Sequence, residues 1–202
     1  MRIITVSREF GSGGREIAKR LSDILGITYY DKEILTEIAE QSNLNEEYVA
    51  RTLNKGLHLN IPIHYARSFS YVPLTDDVTR LLAIQRKIIM ELAEKEDCII
   101  VGRGANVILK AYSPLRIFVY ADLDSKIARC LERMNDGEQL SRKELEKRIQ
   151  KIDKARASSY EILSSGVWGD KREYDLCINT TNVSIPEMIP CVADYASRVL
   201  GL

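Results

Sequence analysis

Four cysteines, two histidines and one tryptophan among 202 residues leave little material for several kinds of site. Cys98, Cys130, Cys177 and Cys191 are far apart and lack the paired spacing that a zinc site or a redox motif needs, so they read as reduced thiols. His58 and His64 have no partner at a telling spacing and read as ordinary loop residues. Neither sign of charge is in excess. Twenty-nine basic side chains cancel twenty-nine acidic ones, whereas a duplex nucleic-acid binder shows a basic surplus, so no nucleic-acid partner is expected. No apolar run approaches the ~18 residues that span a bilayer. The first residues enter a strand with no charged leader or cleavage pattern, so a cytoplasmic protein without membrane contact is expected.

Hydrophobic residues at 45% and charged residues at 29% are ordinary globular values, which argues against disorder. A chain of 202 residues is long enough for one sizeable core, and a single domain over 1–202 is expected. The most informative stretch lies at its start. Ile3-Ile4-Thr5-Val6 favours a strand and runs into Arg8-Glu9-Phe10-Gly11-Ser12-Gly13-Gly14-Arg15-Glu16, where three glycines in four positions open a helix. Such a turn aims unpaired N–H groups and the positive helix end at one point, which suits a phosphate. Ser12 would add a hydroxyl, and Arg8 and Arg15 would add charge. The same glycines can equally serve close packing alone. The standard phosphate loop asks for Gly, four residues, then Gly-Lys-Ser/Thr. With Gly13 as its last glycine, the lysine position holds Gly14, the first glycine position holds Arg8, and the hydroxyl after the lysine is missing.

Downstream, Ile17, Ala18, Leu21, Ile24 and Leu25 mark one helical face that stops at Gly26. Ile27 to Tyr30 forms a short strand, and Asp31 at its exit is placed either to cap the helix carrying Ile34, Leu35 and Ile38 or to orient a hydroxyl or a magnesium-bound water. Strand, helix, strand is the unit of a parallel sheet. Residues 42–74 are the least periodic part, with one helix from Glu46 to Leu53; His58 to Tyr71, which includes Arg67, reads either as a substrate-facing flap or as a plain surface loop. Thr75-Asp76-Asp77 caps a long helix with Leu81, Ile84, Ile88 and Leu92 inward. Cys98 to Val101 lacks alternation, as a strand covered on both faces does, and ends in Gly102-Arg103-Gly104. Ligands of open parallel sheets lie beyond the carboxyl ends of the strands, so Arg103 stands where a second anion would lie.

Pro114 to Ala121 is a further strand, followed by a helix with Ile127, Leu131 and Met134 inward and Arg129 and Arg133 four apart on one face. Asn135 to Gly137 is a turn, and Ser141 with Glu144 makes a capping box for the next helix. There Ile149, Asp153, Arg156 and Tyr160 share a stripe that would close over a ligand, the bland alternative being a wet surface pair of Asp153 with Arg156. Asp175 to Asn179 is the last strand. A closing helix after Ser184 and Pro186 has Met188, Val192, Ala196 and Val199 inward.

The strand and glycine turn, Tyr29-Tyr30-Asp31, Val101-Gly102-Arg103-Gly104 and the arginine-bearing helices over 124–160 together resemble the cytidylate-kinase-like branch of the P-loop nucleoside monophosphate kinases. The resemblance implies an α/β fold of three layers: a five-stranded parallel sheet with helices on both faces, a monophosphate-binding segment at 42–74 and a helical lid at 124–160. It implies an ATP-dependent kinase, with (deoxy)cytidine monophosphate as acceptor and small-molecule nucleotides as partners. Gly11, Ser12, Gly13, Gly14, Arg15 and Glu16 would hold the donor phosphates. Arg103 matches the arginine of a Gly-Arg-Asp that contacts the acceptor, with Gly104 replacing the aspartate, and Arg8, Asp31 and Arg67 would line the same site. Arg129 and Arg133 match an Arg-x-x-x-Arg that clasps the donor. Asp153 matches the lid's Arg-Asp pair, whose arginine is here Ile152, with Arg156 one turn on. No side chain is expected to ligate a metal directly; Mg²⁺ would bridge the donor phosphates. The changed loop leaves two further readings open: a non-nucleotide acceptor, and a nucleotide-binding regulator without turnover.

Overall fold

A computed structural model describes residues 1–54, 76–134 and 140–202. Arg67, the flap around it, Thr75 and the turn expected at Asn135 to Gly137 lie outside the described residues.

Five strands form one parallel sheet in the order β2-β3-β1-β4-β5: β1 Ile3–Arg8, β2 Thr28–Tyr30, β3 Cys98–Val101, β4 Leu115–Tyr120 and β5 Leu176–Asn179. The apolar runs of β1, β3 and β4 occupy its centre, since a strand covered on both faces must be apolar throughout. Helices α1 Gly14–Leu25 and α8 Ile185–Leu200 cover one face. There Ile17, Leu21, Ile189 and Ala193 pack against Ile4, Val6, Ile117 and Val119. The other face carries α2 Glu33–Ser42, α3 Glu46–Asn54, α4 Asp76–Lys95 and the short α5 Ala105–Ile108, with Ile34, Ile38, Leu81 and Ile88 against Ile3, Cys98 and Ile100.

After β4 come α6 Leu123–Glu132 and α7 Arg142–Leu163. These two share a small core of Ile127, Leu145 and Ile149, against which Phe10 of the glycine turn packs. Ser141 makes the expected capping box with Glu144 at the start of α7. The lid helices therefore stand over the same end of the sheet as the turn after β1.

Three residues assigned to helix cores from periodicity are on the surface instead: Ile24 at 57%, Leu131 at 49% and Val199 at 51% exposure. All three lie in the last turn of their helices. An apolar period marks a face but not where along the axis the covering element stops. Asp31 is a second correction. Lys32 occupies the N-cap of α2 without a side-chain cap bond, and the Asp31 carboxylate faces arginines of other elements.

Leu21→Ala is expected to cost about 2–5 kcal/mol in urea denaturation, because the side chain is wholly buried. Ile24→Ala is expected to stay within about 0.5 kcal/mol of the parent protein.

Candidate active site

The turn after β1 is tied down by its own backbone. Glu9 N–H donates to the Val119 carbonyl at 2.9 Å, extending the sheet by one rung, and Ser12 Oγ donates back to the Glu9 carbonyl at 2.8 Å. Gly11 at φ 78° and Gly13 at φ 82° adopt the left-handed conformation that reverses the chain. Gly13 is the N-cap of α1 and supplies no side-chain acceptor, so the first amides of the helix stay aimed out of its positive end. The glycines serve packing as well. A Cβ on Gly13 would collide with Ile185 of α8, and one on Gly11 would come within 2.8 Å of the Lys126 carbonyl. Ser12 is wholly buried with its hydroxyl spent on Glu9, so the hydroxyl expected to face a ligand points inward.

At the carboxyl ends of β1, β2 and β3, arginines from four elements meet one carboxylate. Asp31, buried at the exit of β2, takes Arg15 Nε at 2.6 Å on one oxygen and Arg8 at 3.5 Å on the other. Arg8 runs beneath Gly102, where any Cβ would overlap its guanidinium. Arg103 lies just past β3 with φ 56°, its carbonyl accepting Gln85 Nε2 at 3.1 Å. Arg156 reaches in from α7, donating to the Arg8 carbonyl at 2.9 Å and lying 5.8 Å from the Phe10 ring centre.

These cations disfavour one another. Burial, then Arg156 and Arg15, push Arg8 down to about 9 against the pull of Asp31. Burial and the neighbouring Arg8 and Arg15 take Arg103 to about 10, and burial lowers Arg156 as well. Gathering guanidiniums in a poorly hydrated place costs free energy that a bound polyanion returns. Such a gathering of guanidiniums is a candidate anion site.

The stripe on α7 also reaches the turn, which overturns the wet-surface reading. Asp153 accepts the Phe10 N–H at 2.7 Å and stands 3.5 Å from both Arg156 and Lys126. Burial raises the Asp153 carboxyl despite these partners. Lys126 Nζ bonds Glu9 at 2.9 Å, so α6, α7 and the turn share one ionic network. Sequence reading missed Lys126, Glu9 and the Phe10 amide. The one available signal was position: Lys126 directly precedes the inward Ile127.

The two arginines of α6 and its end stand apart from the Asp31 cluster. Arg129 donates to the Thr180 carbonyl just past β5, while its buried Nη1 finds no acceptor among the described residues. Thr180 in turn donates to the Ser12 carbonyl at 2.8 Å, so Arg129 flanks the turn from the α8 side. Arg133 pairs with Glu16 at 2.5 Å, and Glu16 also takes Arg20 at 2.9 Å. Glu16 is thereby engaged with cations of the protein itself.

A nucleotide triphosphate fits these residues: the open start of α1 offers amides, and the orphaned Arg129 Nη1 offers a donor beside them. Among the described residues no three acidic, histidine or cysteine side chains cluster, and Ser12 is turned away.

A parallel sheet in this order, a glycine turn opening a helix after its first strand, and arginine-bearing helices above that turn define the P-loop kinase fold. The chain belongs to the cytidylate kinase-like family, whose family model matches residues 3–182. It is similar to an uncharacterized protein from Eubacterium ventriosum ATCC 27560, at 28% identity over 98% of this chain and 99% of that one, with a TM-score of 0.71. Shikimate kinase from Bacteroides thetaiotaomicron shares the fold at 14% identity, covering 100% and 99% of the two chains with a TM-score of 0.57. A gluconokinase from Sinorhizobium meliloti 1021 does so at 13% identity, 99% and 94% coverage and a TM-score of 0.53. No curated protein sequence matches the chain.

Asp153→Ala leaves the half-buried Phe10 N–H without its charged acceptor and is expected to cost about 1–3 kcal/mol in chemical denaturation. Asp153→Asn keeps a carbonyl oxygen there and is expected to lose less.

Proposed function

We propose that the protein is a kinase moving the γ-phosphate of ATP to a small phosphorylated acceptor, with (deoxy)cytidine monophosphate as first candidate. The observation that carries this reading is the meeting of Arg8, Arg15, Arg103 and Arg156 around Asp31, beside the open start of α1. Membership of the cytidylate kinase-like family supports it. Phosphoryl transfer asks a protein to align two anions, neutralise charge that spreads over the transferred group, and exclude water. Each task has residues here. The amides of Gly13, Gly14 and Arg15 hold the donor phosphates, with Arg129 at their flank. Arg103 and Asp31 receive the acceptor, and Arg8 stands between them and the donor phosphates. Arg156 covers the transferred group from the lid, as a planar guanidinium does with two parallel bonds. ATP supplies the activated phosphoryl group. No protein residue needs to act as a base, because the attacking phosphate oxygen is already anionic.

One observation favours a second reading, a non-nucleotide acceptor. Gly104 stands where the resemblance expects an aspartate, and Asp31 is a buried carboxylate that can accept from an acceptor hydroxyl. Two neighbours that share the fold are named for shikimate and for gluconate chemistry.

ADP release measured against a panel of nucleoside monophosphates, shikimate and gluconate decides between the acceptors. Turnover with CMP or dCMP supports the first reading, and turnover with a hydroxyl acceptor alone supports the second. Tight ATP binding without transfer to any acceptor would leave a nucleotide-binding regulator. Arg103→Ala is expected to lower transfer roughly 10³-fold with an unchanged circular dichroism spectrum. Near-parent turnover in that variant would remove Arg103 from the acceptor site.

A further inference from the structure

The standard phosphate loop carries a glycine at its first position and a lysine six residues later. Here those two positions hold Arg8 and Gly14: a cation and a glycine, in reverse order. The structure gives a steric reason for the reversal. A Cβ on Gly14 would stand 2.5 Å from the Arg8 Cβ, 3.1 Å from its Cγ and 3.2 Å from the Val119 Cβ. Side chains at both positions exclude each other unless backbone moves, because Cβ atoms fixed to two packed elements have no rotamer that separates them. A loop with a side chain at position 8 needs glycine at 14, and a loop with lysine at 14 needs glycine at 8.

The path of Arg8 is prepared at its far end too. Gly102, at φ 75°, leaves the space that the guanidinium fills, and any Cβ there would overlap it. The guanidinium ends 3.5 Å from Asp31, whose other oxygen holds Arg15 of the first turn of α1. Arg8 thus arrives within one carboxylate's width of the phosphate-binding helix end. Its side chain is 15% exposed, and its carbonyl receives Arg156 from the lid helix at 2.9 Å.

We infer that Arg8 is the loop's phosphoryl-contacting cation, the charge of the usual lysine moved to the opposite end of the turn and exchanged with its glycine. The inference rests on the kinase reading and deepens it. During transfer the bond from the γ-phosphorus to the ADP oxygen breaks, its electron pair leaving with ADP, while an anionic acceptor oxygen forms the new bond. Arg8 donates hydrogen bonds to the non-bridging oxygens and gives up no proton. A guanidinium suits this role because it binds two oxygens in one plane.

The test compares the full-length protein with Arg8→Gly, Gly14→Lys and the double variant. Tripolyphosphate binding is measured by calorimetry, ATP-dependent ADP release by a coupled assay, and folding by thermal melting. Arg8→Gly is expected to weaken tripolyphosphate binding at least tenfold and to slow transfer roughly 10³-fold. The double variant is expected to regain about tenfold or more of both, because removal of the Arg8 side chain opens the place for lysine. Gly14→Lys alone is expected to melt lower than the parent. Since that variant can fail to fold, Gly14→Ala is made in both backgrounds: it lowers the melting temperature when Arg8 is present and does not when Arg8→Gly accompanies it.

Tripolyphosphate affinity within about twofold of the parent in folded Arg8→Gly overturns the assignment, as does a folded double variant no better than Arg8→Gly. A parent protein that binds tripolyphosphate but transfers phosphate to no acceptor defeats the kinase reading instead, and the four affinities still decide the exchange of positions. A parent protein that binds no polyphosphate defeats both.

Discussion

The structure depends on keeping the poorly hydrated guanidiniums of Arg8, Arg103 and Arg156 close together, with the more exposed Arg15 beside them. Arg8, Arg15, Arg103 and Arg156 come from β1, α1, the end of β3 and α7, and Asp31 holds two of them directly. Burial first, and then repulsion among the like charges, push Arg8 and Arg103 down. A fold accepts this cost only where rigid elements impose the geometry and a ligand of opposite charge relieves it. The parallel sheet is the rigid element. Three strand ends lie side by side in the order β2-β3-β1, and each delivers one member of the cluster.

The lid is tied to this arrangement through backbone as well as charge. Asp153 holds the Phe10 amide, Arg156 holds the Arg8 carbonyl, and Lys126 bridges Glu9 to Asp153. Two helices that follow β4 therefore set the shape of a turn that follows β1. Glu16 with Arg133 adds a link between α1 and the end of α6.

Much of the fold was legible because its signals are local. All five strands were readable as apolar runs or short β-favouring stretches bounded by glycine, proline or aspartate, and the Ser141–Glu144 box marked a helix start within four residues. The convergence of Arg103 and Arg156 on the glycine turn also followed from their places at a strand end and on a lid stripe. What was not legible depends on distant pairing. Asp31 looked like a cap because the next helix begins beside it, whereas its partners are Arg8 and Arg15 on other elements. Lys126 is separated from Glu9 by 117 positions, and nothing in either local pattern points to the other. The exposed Ile24, Leu131 and Val199 failed for the reason that periodicity carries no information about where a neighbour ends.

A crystal structure of the protein with a non-hydrolysable ATP analogue and sulfate tests the central claim most directly. The terminal phosphates are expected on the Gly13 to Arg15 amides and Arg8, with a sulfate held by Arg103 next to Asp31. An analogue bound away from that helix end, with the arginine cluster free of any anion, would contradict it.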